Sequence, residues 1–163
     1  MSLKHEFILI SNPRRMNVNN LVIMRHEQTG LPEIDGVKQI DYIVIEDPFV
    51  GYLTDFFNWI PQENRNSDSN SYGLNYYGTT CFTNENSIQL SELYLALKGL
   101  FDFAPRAISL KGDFCWNDED FESGTYEELI FTKKEIIEKL ERIASWNEEL
   151  KLDNNKQIIH LGI

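Results

Sequence analysis

Basic residues are scarce in this chain: 15 Lys and Arg stand against 26 Asp and Glu over 163 residues, for a formal net charge of −11. A nucleic-acid binder needs clustered Lys and Arg for phosphate contacts, and recruitment to an anionic membrane surface makes the same demand. Both partner classes are therefore disfavoured. Apolar runs are also short. None approaches the ~20 residues that span a bilayer, and the first residues carry no signal-peptide apolar stretch, so a cytoplasmic protein is expected. Cysteine is nearly absent: Cys81 and Cys115 are the two present, with no CxxC spacing. Both fall in segments read as strands, which predicts buried thiols in a reducing compartment and leaves a disulfide between neighbouring strands open. There is no Gly-rich strand-to-helix loop, no GxSxG, no HExxH and no Cys/His cluster with metal spacing. No cofactor or metal is expected.

Core-forming material is plentiful. Hydrophobic residues make up 42% of the chain, including ten Phe, seven Tyr and three Trp. A chain of this length buries roughly 70% of the surface its unfolded form exposes, and residues 1–163 read as a single domain without an internal linker.

Short β-branched segments at 6–10 and 21–25 flank a turn-rich connector and predict two strands, with a third at 41–46. Asp47 and Pro48 then open a helix, Asp as a cap for exposed N–H groups and Pro in the first turn. Phe49, Val50, Leu53, Phe56, Phe57 and Ile60 form its apolar stripe, and Pro61 stops it. Residues 62–73 are rich in Asn and Ser and read as a surface loop. A strand at 74–82 follows, with Gly78 marking a bulge or close packing. The second helix begins near Ser87, carries the stripe Leu90, Leu93, Tyr94, Leu97, Leu100 and Phe101, and ends before Pro105. Segments 107–116 and 126–131 read as hairpin arms, with Ser123 and Gly124 in the turn. Thr132 and Glu135 have the spacing of a capping box at the start of a third helix, lined by Ile136, Leu140, Ile143 and Leu150. A last strand covers 157–163. Strands and helices interleave without strict βαβ alternation. The predicted fold class is α+β, a mixed or mostly antiparallel sheet with about three helices packed on it.

The most unusual local feature is a run of seven carboxylates, Asp113, Asp118, Glu119, Asp120, Glu122, Glu127 and Glu128, with no Lys or Arg among them. Such a run costs self-repulsion, which solubility or a basic partner would offset. Phe114, Trp116, Phe121 and Tyr126 interleave with the acids, and aromatic anchors amid complementary charge describe a protein-binding surface. Asp113, Trp116, Asp118, Glu119, Asp120 and Glu122 are accordingly the candidate partner-binding residues. An EF-hand reading that begins at Asp118 fails at its two most constrained places. Ser123 stands where Gly is needed and Leu129 where the last carboxylate is needed.

Met24-Arg25-His26-Glu27-Gln28-Thr29 follows an apolar strand and resembles the strand-end R-H-G-x-T signature of histidine phosphatases. The resemblance implies a phosphorylated His26 with Arg25 holding phosphoryl oxygens. Glu27 replaces the family's Gly, and the remaining histidines are His5 and His160. His160, between apolar neighbours, reads as a satisfied core or rim histidine.

Segment Gly73-Leu74-Asn75-Tyr76-Tyr77-Gly78-Thr79-Thr80 precedes a helix, a proline and an Ile-Ser-Leu strand. About forty residues around it resemble small bacterial immunity proteins of polymorphic toxin systems, several families of which carry a G-x-x-[WY]-[WY]-G-x-T strand before such a helix. The resemblance implies a cytoplasmic non-enzyme that binds and neutralises a cognate toxin, its carboxylates standing in for phosphates against a basic cleft. The expected partner is a basic protein. The alternative is phosphoryl transfer through Arg25 and His26, and a subunit of a larger assembly is a third possibility.

Overall fold

Residues 5–10 are buried without interruption, as a central strand covered on both faces requires. The computed structural model describes residues 3–12, 21–62, 71–117 and 120–163. In chain order its elements begin with β1 (Lys4–Ser11), β2 (Ile23–Arg25), β3 (Pro32–Ile34) and β4 (Lys38–Glu46), followed by α1 (Asp47–Tyr52) and α2 (Thr54–Phe57). Then come β5 (Pro61–Gln62), β6 (Ser71–Tyr72), β7 (Thr79–Phe82), α3 (Ser87–Phe101), β8 (Ala107–Asn117), β9 (Asp120–Thr132), α4 (Lys133–Leu152) and β10 (Lys156–Leu161). The fold class is α+β, with antiparallel strands and four helices among the described residues.

The principal sheet has the order β4-β1-β10-β7, antiparallel throughout. Alternation along β1 divides its side chains between two cores. Phe7 and Leu9 join Ile45, Phe82 and Ile158 beneath α1 to α4, against Leu90, Tyr94, Leu97, Ile136, Leu140 and Ile143. Ile8 and Ile10 face the other way with Cys81, Ile159 and Leu161, where Ile34 of β3 covers them. The small β2–β3 hairpin thus closes the face the helices leave open.

Several expectations are corrected. The helix expected from Asp47 to Ile60 is two short helices broken at Leu53, where the Thr54 hydroxyl donates to the Val50 carbonyl (3.1 Å). That side-chain bond competes with the regular helical ladder. The apolar stripe survives the break: Phe49, Val50, Leu53, Phe57 and Ile60 are all buried. Neither expected cap forms. Glu46 precedes α1 without a capping bond, and Asp47 is instead its first residue. Thr132 belongs to β9, paired with Ala107, and Lys133 N–H donates to the Arg106 carbonyl (2.9 Å), so strand pairing has already oriented the start of α4. On α3, Leu100 points to solvent rather than into the core. The strand expected at 74–82 is ordered as a strand only from Thr79, and 75–78 form a turn. Within the loop expected at 62–73, Pro61–Gln62 pairs with Ser71–Tyr72; 63–70 lie outside the described residues. Of the two thiols expected to be buried, Cys81 is, whereas Cys115 is exposed on β8.

Candidate partner-binding hairpin

β8 and β9 form a two-stranded sheet of their own. At its base Ile108 and Leu129 are buried, and Leu110 and Phe131 pack against the helical core, where β9 meets α4. From residue 113 to 117 every side chain is exposed, so the distal half projects from the body. An irregularity between Lys111 and Phe114 shifts the register there, which places Asp113 at the bend.

Antiparallel partners share a face, and the register pairs Phe114 with Tyr126 and Trp116 with Gly124. Phe114 sits edge-on to both aromatic neighbours, its ring centroid 4.8 Å from Trp116 and 5.0 Å from Tyr126. Gly124 makes the arrangement possible, because a Cβ there would lie 2.6 Å from two Phe114 ring atoms and from the Cys115 carbonyl. Lys111 extends the row, with its Nζ 3.5 Å from the Tyr126 ring centroid and Glu128 as its cross-strand partner. Trp116 remains 62% exposed. The result is an aromatic ridge with a cation at one end, on an arm rich in carboxylates.

The sequence expectation placed the acids at a turn containing Ser123 and Gly124. That is corrected: both residues lie within β9, which begins at Asp120. Gly124 serves close approach of a ring, a demand no local sequence pattern reveals. Asp113 and Trp116 lie on β8, and Asp120 and Glu122 on β9, with Asp120 opposite Asn117. Asp118 and Glu119 lie outside the described residues. Glu127 and Glu128 are exposed further down the arm, where Ser109 donates to Glu128 (2.9 Å). From Asp120 onward the EF-hand register lies along β9, and it ends at the buried Leu129.

Arg25 and His26 are placed differently from a phosphate site. Arg25 Nη1 donates to Glu6 Oε1 (2.7 Å), and the Tyr42 hydroxyl donates to the same oxygen (2.6 Å). The bond to Glu6 raises the pKa of Arg25, while burial and the same carboxylate raise that of Tyr42. His26 is half-buried at the start of a turn, its Nδ1 accepting from the Gln28 and Thr29 amides (both 3.3 Å). His5 and His160 lie on the opposite, helical side of the sheet.

There they form a polar chain the sequence reading did not assemble. His5 Nδ1 lies 2.9 Å from His160 Nε2, and His5 Nε2 lies 3.1 Å from Asp47 Oδ1. The Tyr76 hydroxyl donates to that same Asp47 oxygen, and the Tyr76 ring stands edge-on to His5 at 4.8 Å. His5 and His160 are fully buried. The expectation of a satisfied histidine holds for half of the His160 ring, because its Nδ1 has no hydrogen-bond partner. The two histidines are 155 residues apart, and only the pairing of both β10 and β4 with β1 brings the cluster together.

Elsewhere, an apolar groove of about 500 Å³ runs between α1, the end of α3 and β8, with Tyr52, Leu100 and Phe103 exposed along it. Among the described residues no group of three His, Cys, Asp or Glu is placed to hold a metal ion. Among them too, no helix is long and apolar enough to cross a membrane. Comparisons with protein-family models, with curated proteins and with solved structures each found no match.

Proposed function

We propose that this protein is a non-catalytic binding domain that captures a basic protein through the β8–β9 arm, acting as an immunity protein toward a cognate bacterial toxin. The observation that carries the reading is the exposed ridge of Phe114, Trp116 and Tyr126 on a projecting, acid-rich hairpin. Interface energy concentrates in a few aromatic anchors, and surrounding charge of one sign steers an oppositely charged partner. The carboxylates would occupy the positions that nucleic-acid phosphates take in a basic cleft. The likeness of segment 73–80 to immunity proteins supports the toxin-neutralising part of the reading.

The test is capture by the tagged protein from lysate at low salt and again at ~0.5 M salt, where the Debye length is about 4 Å. The expected result is one stoichiometric basic protein, lost at high salt and lost with Trp116→Ala. That protein, expressed alone, should arrest growth, and co-expression of this chain should restore it. A captured protein that binds Trp116→Ala equally well, or that is harmless when expressed alone, contradicts the proposal.

A further inference from the structure

The bonds around Asp47 fix where every proton in the buried chain resides. Asp47 Oδ1 accepts from Tyr76, so the proton between Asp47 and His5 is on His5 Nε2. His5 Nδ1 is then a bare acceptor, and the proton between the two rings must be on His160 Nε2. His160 Nδ1 is left as a buried lone pair with no donor. A further proton on either ring has one destination. Whether His5 or His160 carries the positive charge, the added N–H ends at His160 Nδ1, where no acceptor is present. A buried charge with an unsatisfied donor is unfavourable on both counts.

Tyr76 is the partly exposed group that packs directly on the pair. Its ring covers His5, and its backbone is held by few bonds: Ile163 N–H to the Tyr76 carbonyl (3.0 Å), Gly162 N–H to Gly78 (2.8 Å) and Asn75 N–H to the Thr80 hydroxyl (2.8 Å). Gly162 is required there, because any Cβ would strike the Tyr76 carbonyl. Tyr77 beside it is 80% exposed and Asn75 is exposed. Segments with so little buried surface open at the lowest cost.

We infer that the His5–His160 pair is an acid-sensitive latch on the turn at 74–78: uptake of one proton by the pair is coupled to release of Tyr76 from Asp47 and of residues 162–163 from the turn. The titratable groups that face the pair are Asp47 at the start of α1, Tyr76 and Tyr77 of the turn, Asp113 of β8, whose charge acts on Tyr76, and Tyr94 of α3 behind Phe7. Glu46, next to Asp47, is taken by Lys139 (2.8 Å) with Lys4 nearby. None of these supplies an acceptor to His160 Nδ1. Burial and the neighbouring His5 lower His160 to about 3. Burial also lowers His5, against the pull of Asp47.

The experiment is amide hydrogen exchange by NMR on the intact protein as pH falls from about 7 to about 5, read with ring ¹⁵N shifts. At neutral pH both rings should be neutral Nε2–H tautomers. Below ~6.5 the opening constant of Gly78, Gly162 and Ile163 should rise about ten-fold per pH unit, as one-proton linkage requires. Phe7 and Leu9 of β1 should open far less often than the turn at every pH, because they exchange only through global unfolding. His160→Gln keeps a donor toward His5 but does not titrate, so the pH dependence at the turn should vanish. Tyr76→Phe should open the turn at every pH with the slope retained. A charged ring at neutral pH, an unchanged slope in His160→Gln, or an opening constant at the turn no larger than that of β1 each overturns the latch.

Discussion

The ring of Phe114 lies against the backbone of Gly124 on the opposite strand, close enough that a methyl group at 124 would overlap two of its atoms at 2.6 Å. This contact sets how Phe114 stands between Trp116 and Tyr126. Gly124→Val should therefore splay the ridge. Near-UV circular dichroism of the aromatic residues should weaken and partner affinity should fall on the order of ten-fold, the equivalent of ~1–2 kcal/mol of overpacking. The thermal midpoint should move little, because the distal arm is exposed. An unchanged aromatic spectrum would contradict the role assigned to Gly124.

Global stability should fall on acidification before the carboxylates matter. His160 is lowered to about 3 from an ordinary 6.5, so the unfolded chain binds more protons than the folded one between those values. Stability is then present in full above about 6.5 and declines by up to ~1.4 kcal/mol per pH unit as pH drops below it. His5, also lowered, acts in the same direction. Urea unfolding at about pH 7, 6 and 5 reads this slope, and His160→Gln should flatten it. A wild-type protein equally stable at all three would refute the buried neutral pair.

Asp41 holds the outer edge of the sheet to α4. It accepts from Arg142 Nε (2.8 Å), Arg142 Nη2 and the buried Trp146 Nε1 (2.8 Å). Burial opposes its charge, but these bonds outweigh burial and keep Asp41 below the usual carboxylate range. Asp41→Ala leaves the Trp146 N–H unpartnered, at a cost of about 1–3 kcal/mol, while the exposed Arg142 adds little. The urea midpoint should drop accordingly, with Asp41→Asn intermediate. Because this carboxylate is lowered in the folded state, its contribution is lost only as pH falls below its ordinary range.

Local pattern was sufficient for β1, β4, β10, α3, α4 and both hairpin arms, since each carries its own apolar run or period. The stripe Ile136, Leu140, Ile143, Leu150 is buried as expected. What escaped depends on long-range pairing. β3 is three residues containing Pro32, too short to show an alternation, and it forms because β2 pairs with it. Ser123 and Gly124 carry turn chemistry but are used as strand, with the glycine making room for a ring across the sheet. The acid run was legible as a feature of the arm, whereas Lys111, just outside it, joins the ridge through Tyr126 and Glu128 in a way only register reveals. The apolar neighbours of His160 mark it as a core or rim histidine, and it is buried, but its pairing with His5 gives no signal because neither residue sits in a motif.

The central claim is that the arm captures a basic partner, and association kinetics with the captured protein test it most directly. Stopped-flow rates would be compared for wild type, Trp116→Ala and a triple variant with Asp113, Asp120 and Glu122 changed to Lys, over a range of salt. At low salt the triple variant should associate at least ~10-fold more slowly, and the difference should close by ~0.5 M as screening removes steering. Trp116→Ala should chiefly speed dissociation. Wild-type rates in both variants, with the fold intact, would contradict the account.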